Sequence, residues 1–235
     1  MKQTMTHTGV LLALVLCLAS CGGNSKSEVN VPTEYCEELV KLAEEGNVEA
    51  QSNLGVCYIK GDGVSLNIEE GVKWLKKAVE QNDPQAQFFL SMAYNHGQGV
   101  PQDFNESLRL VKESANQGFA KAQSQLAGVY DFGLMGISKD HEEAMKWFWK
   151  AAEQGDADGQ HNVGLEFFGN GDYNEAFKWF EKSAAQGNAG ALLFLGVCYL
   201  EGKGVKQNES IGYDYIKQSA ELGNPNAIDL LKTIY

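Results

Sequence analysis

The residues LGVCY stand at Leu54 to Tyr58 and return, letter for letter, at Leu195 to Tyr199, 141 positions later. A word that mixes Gly, Cys and Tyr does not recur by composition, and it is one instance of a longer periodicity. Small residues recur at Ala50, Ala86, Ala122, Gly159, Ala191 and Ala227, at intervals of 36, 36, 37, 32 and 36. Four positions after each comes Leu54, Leu90, Leu126, Val163, Leu195 or Leu231, and eight positions after each comes Tyr58, Tyr94, Tyr130, Phe167, Tyr199 or Tyr235. Spacings of four and eight lie on one helical face, so every repeat opens with a helix, here called helix A.

Helix A stops at Gly61-Asp62-Gly63-Val64, Gly97-Gln98-Gly99-Val100 and Gly202-Lys203-Gly204-Val205. The third repeat stretches this loop to Gly133–Ile137, and the fourth shrinks it to Gly169-Asn170-Gly171. A Gly-x-Gly that cradles phosphate needs a preceding strand. These glycines follow helices, where Gly supplies a left-handed C-terminal cap. A second helix then starts on Asn67, Asp103, Asp140, Asp172 and Asn208, with Glu70, Glu106, Glu143 and Glu175 three residues on and Ile211 in the last repeat. That pattern predicts a capping box, which gives the carboxylates a structural task and not an acid–base one. Helix B carries small residues at Gly71, Ser107, Ala144, Ala176 and Gly212, which admit helix A closely, and bulky ones at Trp74, Leu110, Trp147, Trp179 and Tyr215.

Ala-x3-Leu-Gly-x2-Tyr, Gly-x-Gly-Val, Asp-x3-Ala-x2-Trp-x3-Ala-Ala and a closing Gln-Gly together resemble the Sel1-like repeat, a relative of the tetratricopeptide repeat. The resemblance covers 34–235, with five full repeats at roughly 48–83, 84–119, 120–156, 157–188 and 189–224 and a partial helix at each end. It implies an all-α, right-handed α-solenoid of antiparallel helix pairs, in which stacked neighbours bury what one repeat cannot. Lys232 fills the small-residue place of the last helix, as expected where no helix B follows.

Residues 1–20 read as a cleaved signal. Lys2 precedes an apolar run from Val10 to Ala19 that is too short for the roughly 20 residues of a membrane-spanning helix. Leu18-Ala19-Ser20-Cys21 resembles a bacterial lipobox, which implies lipidation of Cys21. Residues 21–33 then form a flexible tether. Gly22 follows the Cys where an Asp would suggest inner-membrane retention, so an envelope lipoprotein of the outer membrane is expected. Loss of 1–20 removes one Lys and no acid from 19 basic and 31 acidic residues, leaving 18 against 31 and a net charge of −13. Nucleic acid requires basic stripes and is excluded as a partner.

Chemistry-bearing motifs are sparse. Past the signal the histidines are His96, His141 and His161, none with a metal-like partner at helical spacing. No Ser has a Lys three residues on, and there is no Gly-x-Ser-x-Gly elbow. Catalysis, a metal and a cofactor are therefore not expected. In an oxidising compartment Cys36 and Cys57 are candidates for a disulfide: both occupy core-facing positions, equidistant from the turn at Gly46-Asn47, so in an antiparallel pair they face each other. Such a bond is worth roughly 3 kcal/mol. The alternative is two reduced core thiols, and Cys198 is expected to remain a buried thiol.

The tetratricopeptide likeness implies that helix A lines a concave face and that ligand contacts come from fixed offsets around the Leu column. Those offsets fall on Phe88, Met92, Asn95 and His96; on Ser124, Asp131 and Phe132; on His161, Leu165 and Phe168; and on Leu193, Val197 and Leu200. Apolar side chains there suggest a protein or peptide groove, unless the superhelix buries them itself. The expected function is a membrane-anchored scaffold binding a protein or peptide, monomeric without its partner. The alternatives are a cell-wall-associated enzyme or penicillin-recognising protein, and an inhibitor or host-interaction factor at the cell surface.

Overall fold

A computed structural model describes residues 33–234, with side chains over 37–232. The signal, Cys21, nearly all of the tether and the Cys36 side chain lie outside the described residues. Twelve helices and no strand occur among the described residues, and none of those helices is long and apolar enough to cross a membrane. The chain divides into two compact units, with the boundary between Glu166 and Phe167.

The first unit holds α1 (Thr33–Glu44), α2 (Val48–Lys60), α3 (Ile68–Glu80), α4 (Pro84–His96), α5 (Phe104–Asn116), α6 (Ala120–Phe132), α7 (His141–Glu153) and the start of α8 (Ala157–Gly169). The second holds the end of α8, α9 (Tyr173–Ala184), α10 (Ala189–Glu201), α11 (Glu209–Glu221) and α12 (Pro225–Ile234). The fold is all-α, made of antiparallel helix pairs packed consecutively, as in an α-solenoid.

Small residues set the closeness of each pair. A Cβ added to Gly55 would meet Leu75 at 2.8 Å, and one added to Gly71 would meet the Gly55 carbonyl at 2.7 Å. Gly196 and Gly212 repeat this in the second unit. The Leu column supplies the core: Leu54, Leu90, Leu126, Val163 and Leu195 are all buried. Truncating one of them, such as Leu126→Ala, removes packing worth about 2–5 kcal/mol.

Polar groups hold the helix ends. Asn67, Asp103, Asp140, Asp172 and Asn208 each accept from the backbone N–H three residues on, as N-caps do. The reciprocal half of the capping box is absent. The N–H groups of Asn67, Asp103, Asp140, Asp172 and Asn208 instead donate to the carbonyls of Tyr58, Tyr94, Tyr130, Phe167 and Tyr199, at 2.8–3.0 Å. Freed from that role, Glu70, Glu106, Glu143 and Glu175 accept from Lys73, Arg109, Lys146 and Lys178. A glutamine network has no counterpart in the sequence reading. Buried Gln51, Gln87 and Gln123 accept from Gln81, Gln117 and Gln154 at 2.7–2.8 Å, which joins the start of helix A to the end of helix B in each of the first three repeats.

Candidate functional site

Within the first unit an open, largely apolar cavity of about 400 Å³ lies where α4, α5, α6 and the loop after α6 meet. Asn95 closes α4 on one side, and Phe104 begins α5 on another. From α6 come Gln125, Gly128, Val129 and Phe132; from the loop come Leu134 and Met135. Phe132 is 72% exposed, an unusual position for a phenyl ring, and Phe104 and Leu134 are about half exposed. Single exposed hydrophobes are ordinary; three around one depression form a continuous apolar patch.

Two backbone features build this cavity. Gly128 stands in a column filled elsewhere by Val56, Met92, Leu165 and Val197. A Cβ added to Gly128 would have nothing within 4 Å. A mid-helix Gly costs about 1 kcal/mol relative to Ala. At Gly55 or Gly196 close helix packing repays this; at Gly128 it leaves open space. The second feature is the long third loop. Leu134 accepts from the Ile137 N–H at 2.9 Å, closing a turn whose central residues Met135 and Gly136 have φ of 52° and 77°. Positive φ at both central positions is the type I′ signature. Met135 takes that conformation despite its side chain.

Beside Phe132 lies an ionic cluster. His141 at the start of α7 contacts the Asp131 carboxylate through Nδ1 at 2.7 Å and the Glu166 carboxylate through Nε2 at 3.2 Å. Hydrogen bonds to Asp131 first, then to Glu166, hold its imidazolium pKa above the usual value. His161 is the opposite case: burial pushes its pKa down to about 4. Among the described residues no group of three or more His, Cys, Asp or Glu side chains is placed to hold a metal ion. Cys198 is buried, its thiol pushed up to about 11 by burial. Cys57 is half-buried against Leu39, Ala43 and Leu54, and its proposed partner side chain lies outside the described ones.

The offset residues therefore divide. Met92, Asn95, His96, Asp131, Phe132 and Leu165 retain some or much exposure, and Asn95 and Phe132 line the cavity itself. Phe88 is a correction: at 8% exposure it is core, its ring 5.2 Å from Phe89 and 5.4 Å from Phe119. Leu193, at 8%, is another, packed with Ile216 and Ala227. Both face inward because their column, two residues past the small residue, borders the neighbouring repeat. Ser124, in the same column, is buried and donates to the Asp156 carboxylate. In the second unit Phe168 sits among Tyr173, Phe194 and Phe180, while Leu200 packs over Gly212 and Val197 is half-buried. The offsets missed Phe104, Gln125, Gly128, Val129, Leu134 and Met135. The available signals were the 37-residue third repeat and the one Gly in a column of Val, Met and Leu.

Five consecutive stretches, 48–83, 84–119, 120–156, 157–188 and 189–224, match the Sel1 repeat family. A Sel1 repeat protein from Oxalobacter formigenes is 32% identical, with a TM-score of 0.70 over 87% of this chain and 90% of that one. A protective antigen of uropathogenic Escherichia coli displaying an SLR fold is 31% identical, with a TM-score of 0.72 over 94% of this chain but only 48% of its own length. An immunity protein from Pseudomonas aeruginosa shares the fold at 17% identity and a TM-score of 0.61, covering 94% of this chain and 85% of that one. Comparison with curated proteins produced no significant match.

Proposed function

The chain belongs to the Sel1 repeat family, and we propose that it is a non-enzymatic scaffold, lipid-anchored at the bacterial cell envelope, that holds a partner protein or peptide through the Phe132 face. Sel1 repeats generally mediate protein–protein interactions and are generally not enzymes. The observation that carries the reading is Phe132, 72% exposed at the mouth of an apolar cavity. Interface energy concentrates in a few aromatic anchors set in pockets, and Phe132 has the exposure and neighbours of one. The lipobox-like sequence before Cys21 and the tether after it support attachment to the membrane, with the outer membrane favoured by Gly22.

The test is capture from cross-linked envelopes with the soluble domain, from Val31 onward, as bait. Phe132→Ala is expected to weaken capture at least tenfold, about 1.4 kcal/mol, with helical content and melting temperature almost unchanged. Lys146→Ala, which removes an exposed cation paired with Glu142 and Glu143 of its own helix, should leave capture intact. Loss of folding in Phe132→Ala, with undiminished capture by the folded fraction, would overturn the reading. The likeness to a protective antigen favours a second reading, in which the domain is displayed outward and meets host molecules. Digestion of the domain by protease added to whole cells would favour it.

A further inference from the structure

Gly128 makes the third repeat unlike its neighbours, and the cavity it opens is already lined but not filled. We propose that this cavity is an anchor pocket for one bulky apolar side chain of a cationic peptide segment, and that Gly128 determines its specificity. The proposal rests on the scaffold reading and names the partner's chemistry.

The size of the anchor follows from the missing side chain. Where Val56, Met92, Leu165 and Val197 project from the equivalent position, α6 presents bare backbone, and a side chain from elsewhere can occupy that space. The cavity's roughly 400 Å³ is at the lower end of the range for ligand pockets, which suits one large aromatic or aliphatic group better than a whole helix face. Phe132, Phe104, Leu134 and Met135 supply apolar walls. Gln125 adds a polar group: its Oε1 is buried without a hydrogen-bond partner among the described residues. A buried acceptor in that state is costly, and a peptide or indole N–H entering the pocket would satisfy it.

The charge of the occupant follows from its surroundings. Residues 95–135, from the first lining side chain to the last, hold four carboxylates against three Lys and Arg, and Asp140, Glu142 and Glu143 follow against Lys139. Arg109 is held between Glu106 and Glu113, and His141 between Asp131 and Glu166, so each trio keeps a net negative charge whether or not the imidazole is protonated. The chain as a whole carries −12 and one Arg. Lys or Arg flanking the anchor would be attracted, and acidic flanks repelled.

Three fluorescein-labelled decapeptides of equal length provide the probes: one Trp flanked by Lys, the same Trp flanked by Glu, and the Lys peptide with Ser for Trp. Anisotropy should show saturable binding of the Trp/Lys peptide to the wild-type domain, at least tenfold tighter than either control. Gly128→Leu, which adds the side chain Leu165 already carries in this column, should lower that affinity at least tenfold without lowering the melting temperature. Gly128→Ala should lie between. Absent or non-saturable binding of the Trp/Lys peptide, or equal binding by Gly128→Leu, would overturn the proposal. So would a dimer in sedimentation equilibrium that Gly128→Leu abolishes, since a second copy would then be the occupant. Envelope capture separates the two readings. If Gly128→Leu captures as much partner as wild type while Phe132→Ala captures less, the pocket assignment fails and the scaffold stands; if the wild type captures nothing, the scaffold reading fails.

Discussion

His161 and His141 illustrate how one residue type acquires opposite behaviour from its neighbours. In His141, more exposed than buried, hydrogen bonds to Asp131 and Glu166 favour the charged form and raise the pKa; in His161 burial disfavours it and pushes the pKa down to about 4. An unfolded histidine titrates near 6.5. Between about pH 6.5 and 4 the unfolded chain therefore binds a proton at His161 that the folded chain refuses, so stability falls as pH falls through that window. The loss attributable to His161 is up to about 3 kcal/mol. Leu193 occupies the same column in the fifth repeat, which makes His161→Leu a fitting replacement. Urea unfolding at pH 7 and pH 4.5 should show a smaller difference for His161→Leu than for wild type. A wild-type slope in the variant would mean that another group controls it. The contribution of His141 has the opposite sign and another window: it is full below pH 6.5 and fades as pH rises through the raised folded pKa.

At the level of the helix and its loop, the third repeat stores strain where it builds the pocket. A non-glycine residue with left-handed backbone costs roughly 1–2 kcal/mol, and Met135 has φ of 52°. Met135→Gly relieves this but adds freedom to the unfolded chain, so a net gain of about 0.5–1 kcal/mol is expected. Thermal melting should rise by about 1–3 °C, with weaker peptide binding because a wall is lost. An unchanged or lower melting temperature would show that the turn carries no strain. Helices were readable from period alone because Leu54, Leu90 and Leu126 recur where the core needs them. Their caps were half readable: Asn67 and Asp103 accept as anticipated, but Glu70 and Glu106 turn to Lys73 and Arg109. The competitor that won, the Tyr58 or Tyr94 carbonyl, is a backbone atom and leaves no mark on residue type. Phe132 was legible as an outward-facing aromatic, whereas Phe88 was not legible as core, since an offset borrowed from tetratricopeptides does not report how deeply a column is buried. The open space beside Gly128 was legible only as an exception to a column.

For the molecule as a whole, the proposed lipid anchor at Cys21 would decide where any pocket acts. The twelve tether residues after Cys21, 22–33, would reach at most about 40 Å when extended, so the repeats would work within that distance of the bilayer. Cys21→Ala should leave uncleaved or soluble protein that takes up no labelled palmitate and no longer needs detergent for extraction. Continued palmitate labelling in the membrane fraction would refute attachment through Cys21. The bond between the N-cap N–H of helix B and the aromatic carbonyl of helix A bears on a different property. It joins residues nine apart in Asn67–Tyr58, ten apart in Asp140–Tyr130 and five apart in Asp172–Phe167, at 2.8–2.9 Å in these three. One clasp thus closes loops of three lengths; in the shortest, the N-cap Asp172 takes φ of −83° in place of about −150°, and the helix that follows is one residue shorter than its counterparts. What lies between is free to change by insertion or exchange without a debt to the core. Novelty in such a chain can accumulate in one loop at a time, and a recognition element can be gained, lost or transplanted while the architecture that presents it stays the same.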